Sequence, residues 1–180
     1  ARQRGRAARQ EVQEELRFHK ADVGSLDCDE ADYAAEAANR LLAGGTLAGV
    51  TSAAIDGALT QRALFLNTAF VNLAAAAPGV AREDAELQAL QEVEATTLVV
   101  AILSELRLRD GGELLREYQL LGRPEALLDK LAALARTAAD LSVPLDGATP
   151  MAQSLGALRC SCLRALLELT EQLQLSQAEL

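Results

Sequence analysis

The side chains able to do chemistry are few and scattered. There is one histidine, His19, in the polar run "RFHKAD", and three cysteines, Cys28, Cys160 and Cys162. A histidine works as a general base when a cleft holds it beside a nucleophile and an orienting group. The residues around His19 suggest no such cleft, so it reads as a solvated side chain. Helical metal centres draw Glu-x-x-His pairs from facing helices, and the sequence contains none. An odd number of cysteines without regular spacing is no disulfide framework. Cys160 and Cys162, two apart, would point to different faces of a helix, and all three read as reduced, packed thiols.

Two glycine pairs, Gly44-Gly45 and Gly111-Gly112, precede helix starts, where backbone N–H groups could hold an anion. Neither lies in a phosphate-loop pattern, and acidic or apolar residues follow each, so they read as helix breaks. The carboxylates Glu92, Glu94 and Glu105 sit among Gln and Thr at helical spacing and read as a solvated face. No base, nucleophile, metal cluster or phosphate loop can be assembled. The expectation is a non-enzyme that needs no cofactor.

The elements that would have to position such groups are all helices. At 180 residues the chain fits one domain. It is 50% apolar and 24% charged, a globular balance, but only 3% aromatic, so the core must be built from Leu, Val, Ile and Ala. Residues 1–20 carry six Arg or Lys against three Glu, while the remainder is strongly acidic and brings the whole chain to −9. An acidic body argues against nucleic-acid binding, which needs a basic surface to neutralise phosphates.

Punctuation divides the rest. "SLDCDEAD", Ser25 to Asp32, offers a capped helix start, and Gly44-Gly45 ends that helix near Ala43. Thr46 can cap a second helix that runs to about Ala77, before Pro78-Gly79. A third begins at "REDAE" and ends near Arg109, with acidic side chains at its positive end and Arg107 and Arg109 at its negative end. A short helix, "ELLREYQLL", precedes Gly122. A fifth runs from Pro124 to before Pro144, and a sixth from Thr149-Pro150 to about Leu175. "TTLVVAIL", Thr96 to Leu103, is β-branched enough for a buried strand, but its flanks and the lack of a partner strand favour helix.

The last two helices carry single apolar stripes. Leu127, Leu131, Leu134, Ala138 and Leu141 form one; Met151, Leu155, Leu158, Cys162, Ala165 and Leu169 form the other. A short joint predicts that the two lie as antiparallel neighbours. The fold class expected is therefore all-α: a single domain of about six helices, bundle-like or globin-like. Residues 1–20 form a basic, polar N-terminal arm or lead helix and residues 21–180 the helical domain.

One stretch dominates the architecture. "ALFLNTAFVNLAAAAPGVA", Ala63 to Ala81, runs nineteen residues without a charge. That approaches transmembrane length, but Pro78 cuts the helix short, Asn67, Thr68 and Asn72 interrupt it, and no Lys or Arg cluster flanks it. It reads as the core: one central apolar helix, about 46–77, with no transmembrane segment. Ile55, Leu59, Leu66, Phe70 and Leu73 form a broad stripe, and Gly49, Ala53 and Gly57 a small-residue ridge on another side. Joint exposure of Phe65, Phe70 and Leu73 would turn this core reading into an interface reading.

Arg109-Asp110-Gly111, the Leu115-Arg116 pair with nearby Tyr118, Gly122 and the closing Val143-Pro144 resemble, over a fifth of the chain and with a gap, the middle of phycobiliproteins. That resemblance implies a globin-like fold. The family's bilin cysteine would fall at Arg107, so it implies no covalent pigment.

The function expected is a non-catalytic helical subunit or scaffold that mediates protein–protein contacts in a larger assembly, because apolar surface exceeds one stripe per helix. The alternative is a bundle that binds an apolar ligand, a lipid or pigment, including a phycobiliprotein-like globin fold without covalent bilin. Partners expected are other protein subunits or a second copy of the chain. The candidate interaction residues are Arg2, Arg4, Arg6 and Arg9, as a basic arm, and Phe65, Phe70 and Leu73. The Arg-rich "ARQRGRAARQ" fits the tail of an organelle transit segment as well as an ordinary chain end, so the expected protein is soluble and its compartment open.

Overall fold

A computed structural model describes residues 26–44, 52–109 and 124–178. Among them are five α-helices and no strand: α1 (Leu26–Ala43), α2 (Ser52–Ala75), α3 (Val80–Arg109), α4 (Pro124–Ser142) and α5 (Pro150–Ala178). The all-α expectation holds. The ends fall where the sequence places them, within a few residues. The fourth predicted helix, "ELLREYQLL", and the region of Thr46 lie outside the described residues.

Each joint has a local cause. α2 stops at Ala75, and Gly79 takes φ = 97°, a conformation that costs a side-chain-bearing residue dearly but glycine little. The Gly79 carbonyl then accepts hydrogen bonds from Arg82 N at 3.0 Å and Glu83 N at 3.1 Å, which starts α3. Between α4 and α5, Asp146 Oδ1 accepts from Ala148 N at 3.1 Å and closes the turn. Thr149 Oγ1 accepts from Ala152 N at 3.3 Å as the cap of α5. Pro150 occupies the first helical position, where its missing N–H goes unused.

Packing gives two hairpins and a fifth helix. α2 packs against α3, α4 packs against α5, and α3 against α5 joins the hairpins; α2 touches α4 only slightly, and α1 lies on both α3 and α5. The main core holds Ile55, Leu59 and Leu66 of α2, Val93, Val100 and Leu103 of α3, and the stripes of α4 and α5. A second cluster sets Ala34 and Ala38 of α1 against Ala101, with Leu98 and Ile102 alongside. Among the described side chains of α1 the buried ones are all alanine, Ala31, Ala34 and Ala38, and such short side chains let it ride close to α3.

"TTLVVAIL" is helical, as its flanks implied. The buried hydroxyls there are satisfied within the helix: Thr96 Oγ1 donates to Glu92 O at 2.7 Å and Thr97 Oγ1 to Val93 O at 2.9 Å. These bonds remove the cost of burying two polar groups in the middle of the domain.

One architectural expectation is corrected. The uncharged helix, expected at about 46–77 as the central element, is α2, and it lies at the edge. The centre belongs to α3 and α5, which each touch three neighbours extensively. The physical reason is that α2 has two apolar faces and only one of them finds partners among the described helices. α3 is apolar on several sides along Thr96–Leu103 and is covered by α1, α2 and α5.

Candidate functional site

The buried side of α2 is fixed by the stripe Ile55, Leu59, Leu66 and Ala69 and by two ion pairs. Arg62 Nη1 lies 2.9 Å from Glu92 Oε2 across the α2–α3 hairpin, each side chain about a quarter exposed (22% and 26%). The Arg62 guanidinium also sits 4.8 Å above the Phe65 ring, a cation–π contact. Asp56 pairs with Lys130 of α4. Both charges of α2 beyond Ala54 are thus turned inward or sideways. On the far side of the domain, Arg164 of α5 meets Asp32 of α1 at 2.8 Å.

What remains on the outside of α2 carries no charge. Every exposed residue from Ala54 to Ala75 is uncharged. Gly57, Gln61, Leu64, Thr68, Val71 and Ala75, all exposed, step alternately by four and three, so they lie along one line of the helix. Leu64 is 62% and Val71 67% exposed, and Phe65 beside them is 41% exposed. The hydroxyls on and beside this line are turned onto their own helix: Thr68 Oγ1 donates to Leu64 O at 2.9 Å and Thr60 Oγ1 to Asp56 O at 3.0 Å. Covering them would strand no hydroxyl proton. Farther along the chain, Val80 and Leu87 in the first turns of α3 are exposed as well.

The predicted site residues divide. Phe65 is exposed, while Phe70 and Leu73 are half-buried and pack against the main core, so the three are not exposed together. Arg2, Arg4, Arg6 and Arg9 lie outside the described residues, as does His19. Leu64 and Val71 were missed. Their signal is present in the sequence as a second apolar face of α2, which the reading of this stretch as one central core helix absorbs.

The groups with chemical potential are positioned for packing. Cys162, in the buried stripe of α5, has its thiol pKa pushed up to about 12 by burial, which keeps it protonated and unreactive. Cys160, two residues earlier, is half-buried, as the different helix faces require. Glu92, expected on a solvated face, is instead drawn into the Arg62 pair; Glu94 is exposed and Glu105 half-buried. Among the described residues no three His, Cys, Asp or Glu side chains come together as metal ligands, and no helix is long and apolar enough to cross a membrane.

No family model matches the chain, and no curated protein or solved structure does. Of the residues that carry the resemblance to phycobiliproteins, Asp110, Gly111, Leu115, Arg116, Tyr118 and Gly122 lie outside the described residues. The outer face of α2 is the candidate site.

Proposed function

We propose that the chain is a non-catalytic helical subunit or scaffold whose bundle-like domain offers the outer face of α2 to a protein partner. The observation that carries this reading is the exposure of Leu64 and Val71 on a face with no charged residue. Single exposed apolar residues are ordinary on a protein surface. A whole helix face without a charge, in a chain that is 24% charged, is not. An uncharged face with Leu64, Phe65 and Val71 exposed on it suits a contact site.

Native mass spectrometry of the protein drawn gently from its source tests the reading. The expected result is a mass well above 19.0 kDa that dissociates into polypeptides. A bare chain would overturn it. A single chain that retains a small molecule of a few hundred daltons would replace it with the apolar-ligand reading.

A further inference from the structure

We propose that the partner at this face is a second copy of the same chain, docked through the line Gly57, Gln61, Leu64, Thr68, Val71 and Ala75; this rests on the contact-surface reading above. Four-and-three spacing is what lets one helix seat its side chains between those of another over several turns. Here that spacing runs most of the length of α2 and faces away from every described helix.

Gly57 supplies an independent observation. A glycine inside a helix is destabilising relative to alanine, so it calls for a reason. Its backbone is not in the left-handed region, where Gly79 alone lies among the described glycines. No described atom of another element lies within 4 Å of where a Cβ would stand, so packing among the described residues does not require it either. Close approach of another helix from outside would use the space that the missing side chain leaves.

Two features favour a second copy over an unrelated partner. The four-and-three spacing of the line maps onto its own reverse. In an antiparallel two-fold pair Gly57 faces Ala75, Gln61 faces Val71, and Leu64 faces Thr68, with the small residues meeting at both ends. Charge points the same way. At a net −9, two copies repel one another over most of their surface, and this face is where they can meet without opposing like charges. It also offers no basic or acidic group that would select an oppositely charged protein.

Area sets the strength. α2 has 24 residues, about 36 Å at 1.5 Å per residue and about 10 Å across, so its outer half offers on the order of 500 Å² per copy. The total, roughly 1,000 Å², is at the lower limit for a specific interface, and a micromolar dimer is expected.

Sedimentation equilibrium of the purified full-length chain, from about 1 to several hundred micromolar, is the test. The expected mass rises from 19.0 kDa towards twice that value. Leu64→Glu with Val71→Glu sets carboxylates of both copies in one contact and should weaken the dimer at least a hundredfold without loss of helical circular dichroism. Gly57→Leu should weaken it tenfold or more. Leu163→Glu with Leu167→Glu, on the exposed side of α5, should leave it unchanged. A chain that stays monomeric throughout, or a dimer broken by the α5 pair and not by the α2 pair, overturns the proposal. Were the purified chain monomeric but the source complex lost on the α2 substitutions, the copy would be refuted and the contact-surface reading kept. A bare monomer in both settings refutes both.

Discussion

α2 and α4 each present an exposed line at the same four-and-three spacing, and the two lines differ completely in chemistry. On α4 it is Asp129, Ala133, Arg136 and Asp140, three charges in four positions; on α2 it is Gly57, Gln61, Leu64, Thr68, Val71 and Ala75, with none. The buried faces are alike, for both helices enter the main core through Leu side chains. Water therefore explains the outer face of α4 and does not explain that of α2. Helix periodicity says which residues share a face; the charge on the opposite face says whether solvent or a partner is meant to meet it.

The comparison breaks most easily in the core. Leu158→Ala, in the fully buried stripe of α5, should cost about 2–5 kcal/mol, read from urea unfolding. Leu64→Ala, measured below the dimerisation range, should stay within about 0.5 kcal/mol. A core-sized cost at Leu64 in the monomer would mean that the outer face of α2 is already covered.

Alkaline stability probes the same α5 stripe. Because burial raises the Cys162 pKa to about 12, its contribution is fully present below the ordinary cysteine value of about 8.5 and is lost as pH rises towards 12, where the unfolded chain ionises first. At pH 10 the loss should reach about 1–2 kcal/mol relative to pH 8. Cys162→Ala should remove that part of the pH slope. An unchanged slope would show that the thiol ionises as readily in the fold as in the open chain.

The ion pairs rank next. A double-mutant cycle on Arg62 and Glu92, whose side chains are about three-quarters buried, should give a coupling of about 1 kcal/mol. The more exposed Asp32–Arg164 pair should give close to zero, since solvent screens it. Equal couplings would remove the distinction between the two edges of the domain.

The smallest effect has the opposite sign. Gly57→Ala should stabilise the monomer by about 0.5–1 kcal/mol, visible as a higher thermal midpoint at low concentration. Destabilisation instead would reveal an intrachain neighbour of Gly57.

Much of this molecule was legible in the sequence. Gly44, Pro78-Gly79, Pro124 and Thr149-Pro150 mark helix ends because each limits what the backbone can do locally, and the structure honours them. The six predicted stripe residues of α5 are all buried, because a helix with one apolar face has one way to turn. The candidate site was harder to read. Phe65, Phe70 and Leu73 were grouped by residue type, but they lie at different angles around α2, and only Phe65 faces out.

What the sequence by itself determined, then, is whatever depends on neighbours a few residues away: helix boundaries, the stripes of α4 and α5, the satisfied hydroxyls of Thr96 and Thr97. Tertiary structure alone decided which of the two apolar faces of α2 is buried, that α3 and α5 form the centre, and that Arg62 meets Glu92 and Asp56 meets Lys130, pairs 30 and 74 residues apart. The reason is physical. A helix apolar on two sides has no internal preference between them, and the choice falls to whichever neighbours fill the space around it.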